Sequence, residues 1–416
     1  LSLCMDFDAA SLSPLRGMRA AIPCRPTLVL ALLRREGADI IRLLPEASMH
    51  KERIGKVAAL MKKGGLDFIA LNPGPSLLYL SGLSFHLMER PVVAFFDPQA
   101  GVHIVLPELE VEKAKSSGLD ARLYPYGESE SNRDEALRQA ASSLKLGSRT
   151  IGIEPLRMRV FELRLLEAAA PEARFSSCAP VLAELRLIKD GDEIAAMRRA
   201  VAAAEQALEA SLPLLRLGMR EREAALEISF QLLRAGSDTD LPFAPIVASG
   251  PNSAVPHATP GERRFQAGDM LVIDWGARVD GYVSDITRTF ALGEAPAELA
   301  KVHEIVQEAN AAGRAAVRSG VSCAAVDAAA REIIAAAGYG AQFMHRTGHG
   351  IGLEAHEGPY IASHSSQTLR QGMTFTVEPG IYLPGRGGVR IEDDVVVQAD
   401  GGESLSTLPR QLRTIP

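Results

Sequence analysis

The first chemistry this sequence offers lies in acidic residues set among strand-forming apolar ones. Asp274 closes the run Met270-Leu-Val-Ile273, and Asp285 follows eleven residues later in Val283-Ser-Asp-Ile-Thr-Arg-Thr-Phe290. Glu378 sits in Phe375-Thr-Val-Glu-Pro-Gly380, and Glu392 fourteen residues further on in Gly388-Val-Arg-Ile-Glu-Asp-Asp394. A carboxylate in such surroundings is costly unless it meets a cation or a hydrogen-bond donor. Histidines accompany them: His349 in Thr347-Gly-His-Gly-Ile-Gly352, His356 in Glu354-Ala-His-Glu-Gly358, and His257 after Ser253-Ala-Val-Pro256. Four carboxylates and an imidazole brought together would be too anionic to stand alone, and they carry enough oxygen for two divalent cations with shared ligands. Oxygen and nitrogen donors without sulfur favour Mn, Co, Fe or Zn in a working site over a structural zinc. Taken singly, each residue has a plainer reading: a strand-end turn former for the aspartates, a loop cap for His349, a solvated acidic turn for Glu392-Asp393-Asp394. Their joint arrangement is what points to a metal.

Two hairpins would assemble the set. A turn at Asp280-Gly281 would fold Asp274 and Asp285 together, and Gly385, Gly387 and Gly388 would do the same for Glu378 and Glu392. The hairpins belong to a repeat. Gly218 and Gly236 bracket one helical segment, Gly320 and Gly338 another, and the two pairs are offset by the same 102 positions. Gly268-Asp-Met-Leu-Val-Ile-Asp274 aligns with Gly372-Met-Thr-Phe-Thr-Val-Glu378 at an offset of 104. Each half therefore delivers an acid at the end of an apolar strand, and a duplicated fold with its site on the pseudo-twofold axis is the simplest account.

Ahead of the repeat the pattern changes. Ile54, Val57, Ala58, Leu60 and Met61 share a helical face, Asp67–Leu71 reads as a strand, and Asn72-Pro-Gly-Pro75 as a turn. Helices over 108–118, 132–145 and 157–169 alternate with strands over 92–96, 102–106 and 150–153, the signature of an α/β unit with a partly parallel sheet. Residues 179–189 read as a connector, and Asp190-Gly-Asp192 as the entry to a long helix running to about Leu217. The division falls near residue 180. Residues 1–48, with Pro14, Pro23, Pro26 and Pro45, read as an appendage, and Met49 as a candidate natural start.

Length and composition bound the alternatives. A chain of 416 residues predicts two domains of ordinary size. A net charge of −6 argues against a nucleic-acid binder or a basic membrane-surface protein, leaving small molecules or peptides as partners. Cys4, Cys24, Cys178 and Cys323 are scattered without a C-x-x-C, which fits a reducing cytoplasm better than a disulfide framework. No apolar run approaches the roughly 20 residues that span a bilayer. The early stretch Thr27–Leu33 ends at Arg34-Arg35, against a signal peptide.

The sequence from about Met49 to Leu412 resembles the proline-specific metallopeptidases of the pita-bread (M24) fold, the family of aminopeptidase P and prolidase. The carriers are Ile273-Asp-Trp-Gly-Ala277, Ser284-Asp-Ile-Thr-Arg-Thr-Phe290, Gly348-His-Gly-Ile-Gly-Leu-Glu-Ala-His-Glu357, Thr376-Val-Glu-Pro-Gly-Ile-Tyr382 and Gly388-Val-Arg-Ile-Glu-Asp-Asp394. Leu78-Tyr-Leu-Ser-Gly82 and Glu89-Arg-Pro91 are weaker carriers for a creatinase-like N-terminal domain. The resemblance implies an appendage over 1–48, an α/β creatinase-like domain over 49–179, and an α+β pita-bread catalytic domain with internal pseudo-twofold duplication over 180–416. It implies two divalent metal ions, Mn foremost with Co, Zn or Fe as alternatives, held by Asp274, Asp285, His349, Glu378 and Glu392, with Asp285 and Glu392 shared. Glu378 would act as general base and proton donor. His257 and His356 would contact the substrate or its oxyanion, His345 would stand near the site, and Arg390 would support the ligand strand.

The implied reaction is cleavage between an N-terminal residue and proline in short peptides, by a cytoplasmic homo-oligomer, a dimer foremost. A proline nitrogen carries no N–H, so a pocket shaped for the ring needs no acceptor for it. The N-terminal domain, of this chain or a neighbouring subunit, would help to wall that pocket. Aminopeptidase and dipeptidase activities stay open at this point. A methionine aminopeptidase fits less well because about 130 residues of α/β domain precede the catalytic half, and creatine amidinohydrolase shares the architecture without this ligand set. A non-catalytic pita-bread module binding peptides, histones or RNA would be expected to have lost ligands.

Overall fold

The computed structural model describes residues 46–99 and 101–416. The readings of residues 1–45, Cys4 and Cys24 among them, lie outside the described chain. Helix α1 runs Glu46–Lys63, three residues ahead of the Met49 start, and buries Ile54, Val57, Ala58 and Met61 on the face their spacing predicts.

Then come β1 (Phe68–Leu71), α2 (Pro75–Ser81), β2 (Val93–Phe96), β3 (Val102–Pro107), α3 (Val111–Ser116), β4 (Arg122–Tyr126), α4 (Glu130–Leu144), β5 (Thr150–Ile153), α5 (Val160–Ala169) and β6 (Arg174–Ser177). Their strands form one six-stranded sheet in the order β4-β3-β2-β1-β5-β6. β1–β5, β5–β6 and β3–β4 are parallel, and β1–β2 and β2–β3 antiparallel, so the sheet is partly parallel as expected. Alternation along β1 feeds both faces: Ile69 and Leu71 enter one core, Phe68 and Ala70 the other. A sheet buried on both sides explains why its strands are runs of apolar residues rather than alternating patterns.

The predicted connector at 179–189 is mostly a helix, α6 (Ala179–Leu187), which buries Val181, Leu182, Leu185, Arg186 and Leu187. Pro180 concealed it. Proline is accommodated in a first helical turn, where the missing N–H has no partner to lose. The long helix α7 (Gly191–Ser211) opens where read, with a capping box in which Asp190 and Glu193 exchange hydrogen bonds of 2.9 Å with each other's backbone N–H. It stops at Ser211 rather than Leu217, because Pro213 lacks the N–H that continuation needs.

The remaining elements are α8 (Glu221–Arg234), β7 (Ile246–Ser249), β8 (Met270–Trp275), β9 (Arg278–Val279), β10 (Tyr282–Val283), β11 (Ile286–Leu292), α9 (Ala297–Ala316) and α10 (Cys323–Ala336). They continue through β12 (Gly348–Gly350), β13 (Glu357–Ile361), β14 (Thr374–Val377), β15 (Gly380–Leu383), β16 (Gly387–Arg390), β17 (Asp393–Val397), β18 (Gly402–Ser404) and β19 (Arg413–Ile415).

The repeat is real at the level of single hydrogen bonds. Gly218 N–H donates to Phe265 O, Phe265 N–H to Met219 O, and Glu221 N–H to Arg263 O; Gly320, Leu369 and Cys323 donate in the same way to Leu369, Val321 and Gln367. Every donor and acceptor is displaced by the 102 or 104 positions read from the sequence. Each half also builds a nested hairpin: β8 pairs with β11 and carries the β9–β10 ribbon at its tip, while β14 pairs with β17 and carries β15–β16. Asp280 and Gly281 turn the first tip with φ of 53° and 80°, the two positive values a tight hairpin turn requires.

Candidate metal centre

The hairpins meet at one seam. Asp274 lies on β8 opposite Thr287 of β11, and Asp285 directly precedes β11. Glu378 follows β14 and Glu392 precedes β17, and a bridge between Thr287 and Glu392 joins the two hairpins. The strand ends thus converge four carboxylates, and β12 brings His349 alongside. Donor atoms of Asp274, Asp285 and Glu392 lie within 4.8 Å of one another, as do those of His349, Glu378 and Glu392, and those of Asp285, His349 and His356. Asp285, His349 and Glu392 each belong to two of these groups. His349 Nε2 stands 3.3 Å from Glu378 Oε1 and 3.7 Å from Asp285 Oδ2.

Burial makes this arrangement electrostatically demanding. Desolvation, then the charges of Glu392 and Asp274, pushes Asp285 well above the usual carboxylate range; desolvation and the charges of Glu378 and Asp274 do the same to Glu392. Burial raises Glu378 to about 7, and burial with the neighbouring His356 holds the His349 imidazole well below its ordinary value. Asp274 Oδ1 is buried without a hydrogen-bond partner. Among the described side chains that contact the four carboxylates, the one permanent cation is Arg390, 2.7 Å from Asp274 Oδ2. A neutral imidazole, a partnerless carboxylate oxygen and a surplus of buried acids fit divalent cations and no organic ligand so well.

The run Glu392-Asp393-Asp394, read as a ligand with two acidic neighbours, performs three tasks. Asp393 is locked by Arg288 and Arg410, which outweigh its burial and hold it at about 2. Asp394 Oδ2 accepts the backbone N–H of Asp285 at 3.1 Å and so fixes that residue's main chain. Glu392 accepts the Thr287 hydroxyl at 2.6 Å.

Arg390 is a hub rather than only a strand support. It donates to Thr287 Oγ1 and to Tyr382 Oη, each at 3.1 Å. Tyr382 Oη lies 2.9 Å from His345 Nε2, and His345 Nδ1 is 2.8 Å from the Arg346 carbonyl. That carbonyl can only accept, so Nδ1 carries the proton and Nε2 accepts from Tyr382. Burial lowers His345 to about 4, so it serves as a neutral link in this chain. His345 therefore orients Tyr382 and Arg390 at the cavity wall, which the exposed His257 and His356 also line. The His356 ring lies against the His349 ring, with centroids 3.9 Å apart and planes tilted by 50°.

Several contributors had no sequence signal. Tyr382 and Asp394 lie inside the motifs, where no local pattern marks what they hold. Buried Asp327 on α10 accepts Thr347 N–H and Oγ1 at 3.1 and 2.8 Å and pairs with Arg331, which in turn holds the carbonyls of Phe343 and His345. The loop bearing His356 is tied to the N-terminal domain and to the segment that joins the two: Glu354 pairs with Arg157 and Arg186, and Glu357 with Arg186 and Lys189. The cavity over the carboxylates measures about 1240 Å³, and this chain's own Pro73, Leu78 and Phe85 help to wall it.

Residues 53–188 match the creatinase/prolidase N-terminal domain and residues 195–399 match metallopeptidase family M24. The chain is 33% identical over 371 residues to an Xaa-Pro dipeptidase of Pyrococcus horikoshii, covering 87% of this chain and 98% of that protein. Its fold superposes on a prolidase from Thermococcus sibiricus with a TM-score of 0.84 at 35% identity, covering 88% of this chain and 99% of that one. An X-Pro aminopeptidase from Thermotoga maritima gives a TM-score of 0.77 at 32% identity with the same coverages. With divalent-metal donors converging at the seam of a duplicated fold, behind a creatinase-type sheet domain, this chain belongs to the M24 metallopeptidases.

Proposed function

We propose that this chain hydrolyses the bond between an N-terminal residue and proline in dipeptides and short peptides, using two divalent cations held by Asp274, Asp285, His349, Glu378 and Glu392. The observation that carries the reading is the overlap of three donor groups, with Asp285, His349 and Glu392 each in two of them, at the floor of a large cavity. Such cations supply a Lewis acid for the scissile carbonyl and a water acidified toward neutral pH.

The protein's own groups do the rest. Glu378 lies at the cavity floor among the proposed metal ligands, placed to take a proton from the attacking water and return it to the departing proline nitrogen. His356 and His257 project into the cavity, where an N–H donated to the carbonyl oxygen strengthens as charge develops. Arg390, through Tyr382 and His345, holds Asp274 in a fixed orientation. Pro242, Phe243 and Ile246 offer apolar surface to a pyrrolidine ring, which asks for no hydrogen-bond acceptor.

Manganese as the resident ion, a homodimer, a cytoplasmic location and the division into 49–179 and 180–416 belong to the same proposal, with α6 standing at that boundary and packing on α1. The buried free thiols Cys178 and Cys323 accord with a reducing compartment. No described helix is long and apolar enough to cross a membrane.

The test is turnover of chelated protein reconstituted with Mn, Co or Zn on Xaa-Pro, Xaa-Pro-Xaa and the matched Xaa-Ala-Xaa. Metal-dependent cleavage before proline alone is expected. Folded protein that cleaves none of the three with any metal is a binding module, and the proposal fails.

A further inference from the structure

His356 is placed to donate to the substrate, yet it stands on a loop. Residues 351–356 join β12 to β13, and His356 is the last of them before the strand begins. Its ring is exposed at the cavity wall, so the close packing that fixes a core side chain is largely lacking and the loop's backbone must hold it. A donor that meets a developing oxyanion needs a fixed place, because an ångström of misplacement costs about 10²-fold in rate.

Two carboxylates bracket this histidine. Glu354 lies two residues before it and Glu357 one residue after. All four of their oxygens meet a cation: Glu354 Oε1 pairs with Arg157 and Oε2 with Arg186 at 2.8 Å, while Glu357 Oε2 pairs with Arg186 and Oε1 with Lys189 at 2.5 Å. Arg186 is shared between them. Its Nη1 serves Glu354 and its Nη2 serves Glu357, so one rigid, planar guanidinium spans the loop on both sides of His356.

The span has a firm base. Arg186 lies in the last turn of α6, 7% exposed, and α6 packs on α1 of the N-terminal domain and on β13. Arg186 Nη1 also donates to Ser76 Oγ on α2 at 3.3 Å. The loop rests directly on these ions: a Cβ at Gly352 would meet Glu357 Oε1 at 2.7 Å and Lys189 Cε at 2.8 Å. Desolvation offsets much of the attraction within a buried ion pair, so net stability is a weak account of this cluster. Its geometry, two acids on either side of one cavity histidine, gives a better one.

We infer that Arg186 is a positioning residue for hydrolysis: by spanning Glu354 and Glu357 it holds His356 in place beside His349. The inference rests on the Xaa-Pro reading, with His356 as a donor to the substrate, and adds what keeps that donor where it works.

The test is a double-mutant cycle on metal-loaded protein with an Xaa-Pro dipeptide: wild type, Arg186→Met, His356→Ala and the two together. Arg186→Met should lower kcat roughly 10- to 100-fold, with KM changed less than about 3-fold and bound metal at the wild-type ratio, because His356 acts most on the developing charge. In the His356→Ala background the same substitution should cost less than about 3-fold, since nothing is left to position. Arg186→Lys, whose ammonium lacks the fork that reaches both carboxylates, should restore part of the loss. Where Arg186→Met does not yield folded protein, Glu354→Gln breaks the more exposed end of the span and is read in the same cycle. Equal losses in the two backgrounds, or a fall in kcat that follows a fall in bound metal, would overturn the role of Arg186 while leaving Xaa-Pro hydrolysis intact. His356→Ala with wild-type kcat would overturn it as well. Wild type that cleaves no Xaa-Pro peptide with any metal brings down the Xaa-Pro reading and this inference with it.

Discussion

The two halves of the duplicated fold share their backbone and differ in the buried acid that anchors their working segment. In the first half Glu221, at the start of α8, is 1% exposed and accepts from Ser249 N–H and Oγ, Asn252 and Gly261 N–H, drawing together the 249–261 stretch that carries His257. Its counterpart by the 102-position offset is Cys323, which plays no such part. In the second half the anchor is Asp327, one helical turn further along α10 and fully buried, and it holds the 343–347 stretch that leads into His345 and His349. Backbone hydrogen bonds are indifferent to side-chain identity, so duplication preserves them. The side-chain anchors were free to diverge: one holds the stretch that carries His257, the other the stretch that leads into His345 and His349.

The contrast is broken most severely at the seam, where the halves must cooperate. Asp285→Ala or Glu392→Ala removes a donor shared between neighbouring groups, one from each half. Turnover should fall to background and bound metal, counted by atomic emission, should drop below the wild-type ratio. A variant of either kind with wild-type activity and metal content would dissolve the shared-ligand centre.

Asp327→Asn should come next. It leaves Arg331 without its charge partner, a loss of about 3 kcal/mol for a buried pair, and loosens the strand entering His349, weakening metal affinity roughly 10- to 100-fold. Arg331 and Thr347 hold Asp327 below its ordinary 3.8 against the effect of burial. A depressed folded-state value means stability that is fully present above 3.8 and lost as pH falls toward the lower value. Wild type should therefore lose stability on acidification below about pH 4 more steeply than Asp327→Asn, in denaturant melts across that range. Identical slopes would remove the charge from the account.

Glu221→Gln should cost less, about 1–3 kcal/mol in an unfolding titration, because a carboxamide keeps one acceptor while losing part of the fan of hydrogen bonds. Metal affinity should be unchanged and KM raised. A fall in metal affinity matching that of Asp327→Asn would erase the division of labour.

The smallest effect tests what the halves retain in common. Gly218 and Gly320 hold φ of 80° and 88°, and a Cβ at either would meet nothing within 4 Å. Gly218→Ala and Gly320→Ala should each cost about 1–2 kcal/mol, the left-handed penalty alone, and the two costs should agree within measurement.

What was legible in the sequence is what local pattern encodes. The repeat offsets survive down to individual hydrogen bonds, and the hairpin turns at Asp280-Gly281 and Gly385–Gly388 close where glycine and aspartate allow positive φ. The capping of α7 by Asp190 is read from neighbours three residues apart. Less was visible where pattern is short or interrupted: α6 hid behind Pro180, and α7 ended six residues early at a proline whose effect a long apolar periodicity masked.

The amino-acid order by itself determined that four strand-end carboxylates and His349 would exist as a set, because motif spacing and strand periodicity are properties of the local chain. It also determined that they come from two related halves. Only the tertiary structure decided that donor atoms of these residues come within a few ångströms of one another, that Asp394 serves a backbone N–H while Asp393 is locked among arginines, and that Tyr382 couples His345 to Arg390. It alone also set the Arg346 guanidinium over the Tyr360 ring on the cavity wall. The physical reason is common to these cases. A charge's role depends on which opposite charges and donors reach it within a few ångströms, and those partners lie up to about a hundred residues away in the chain, as Asp285 and Asp394 do.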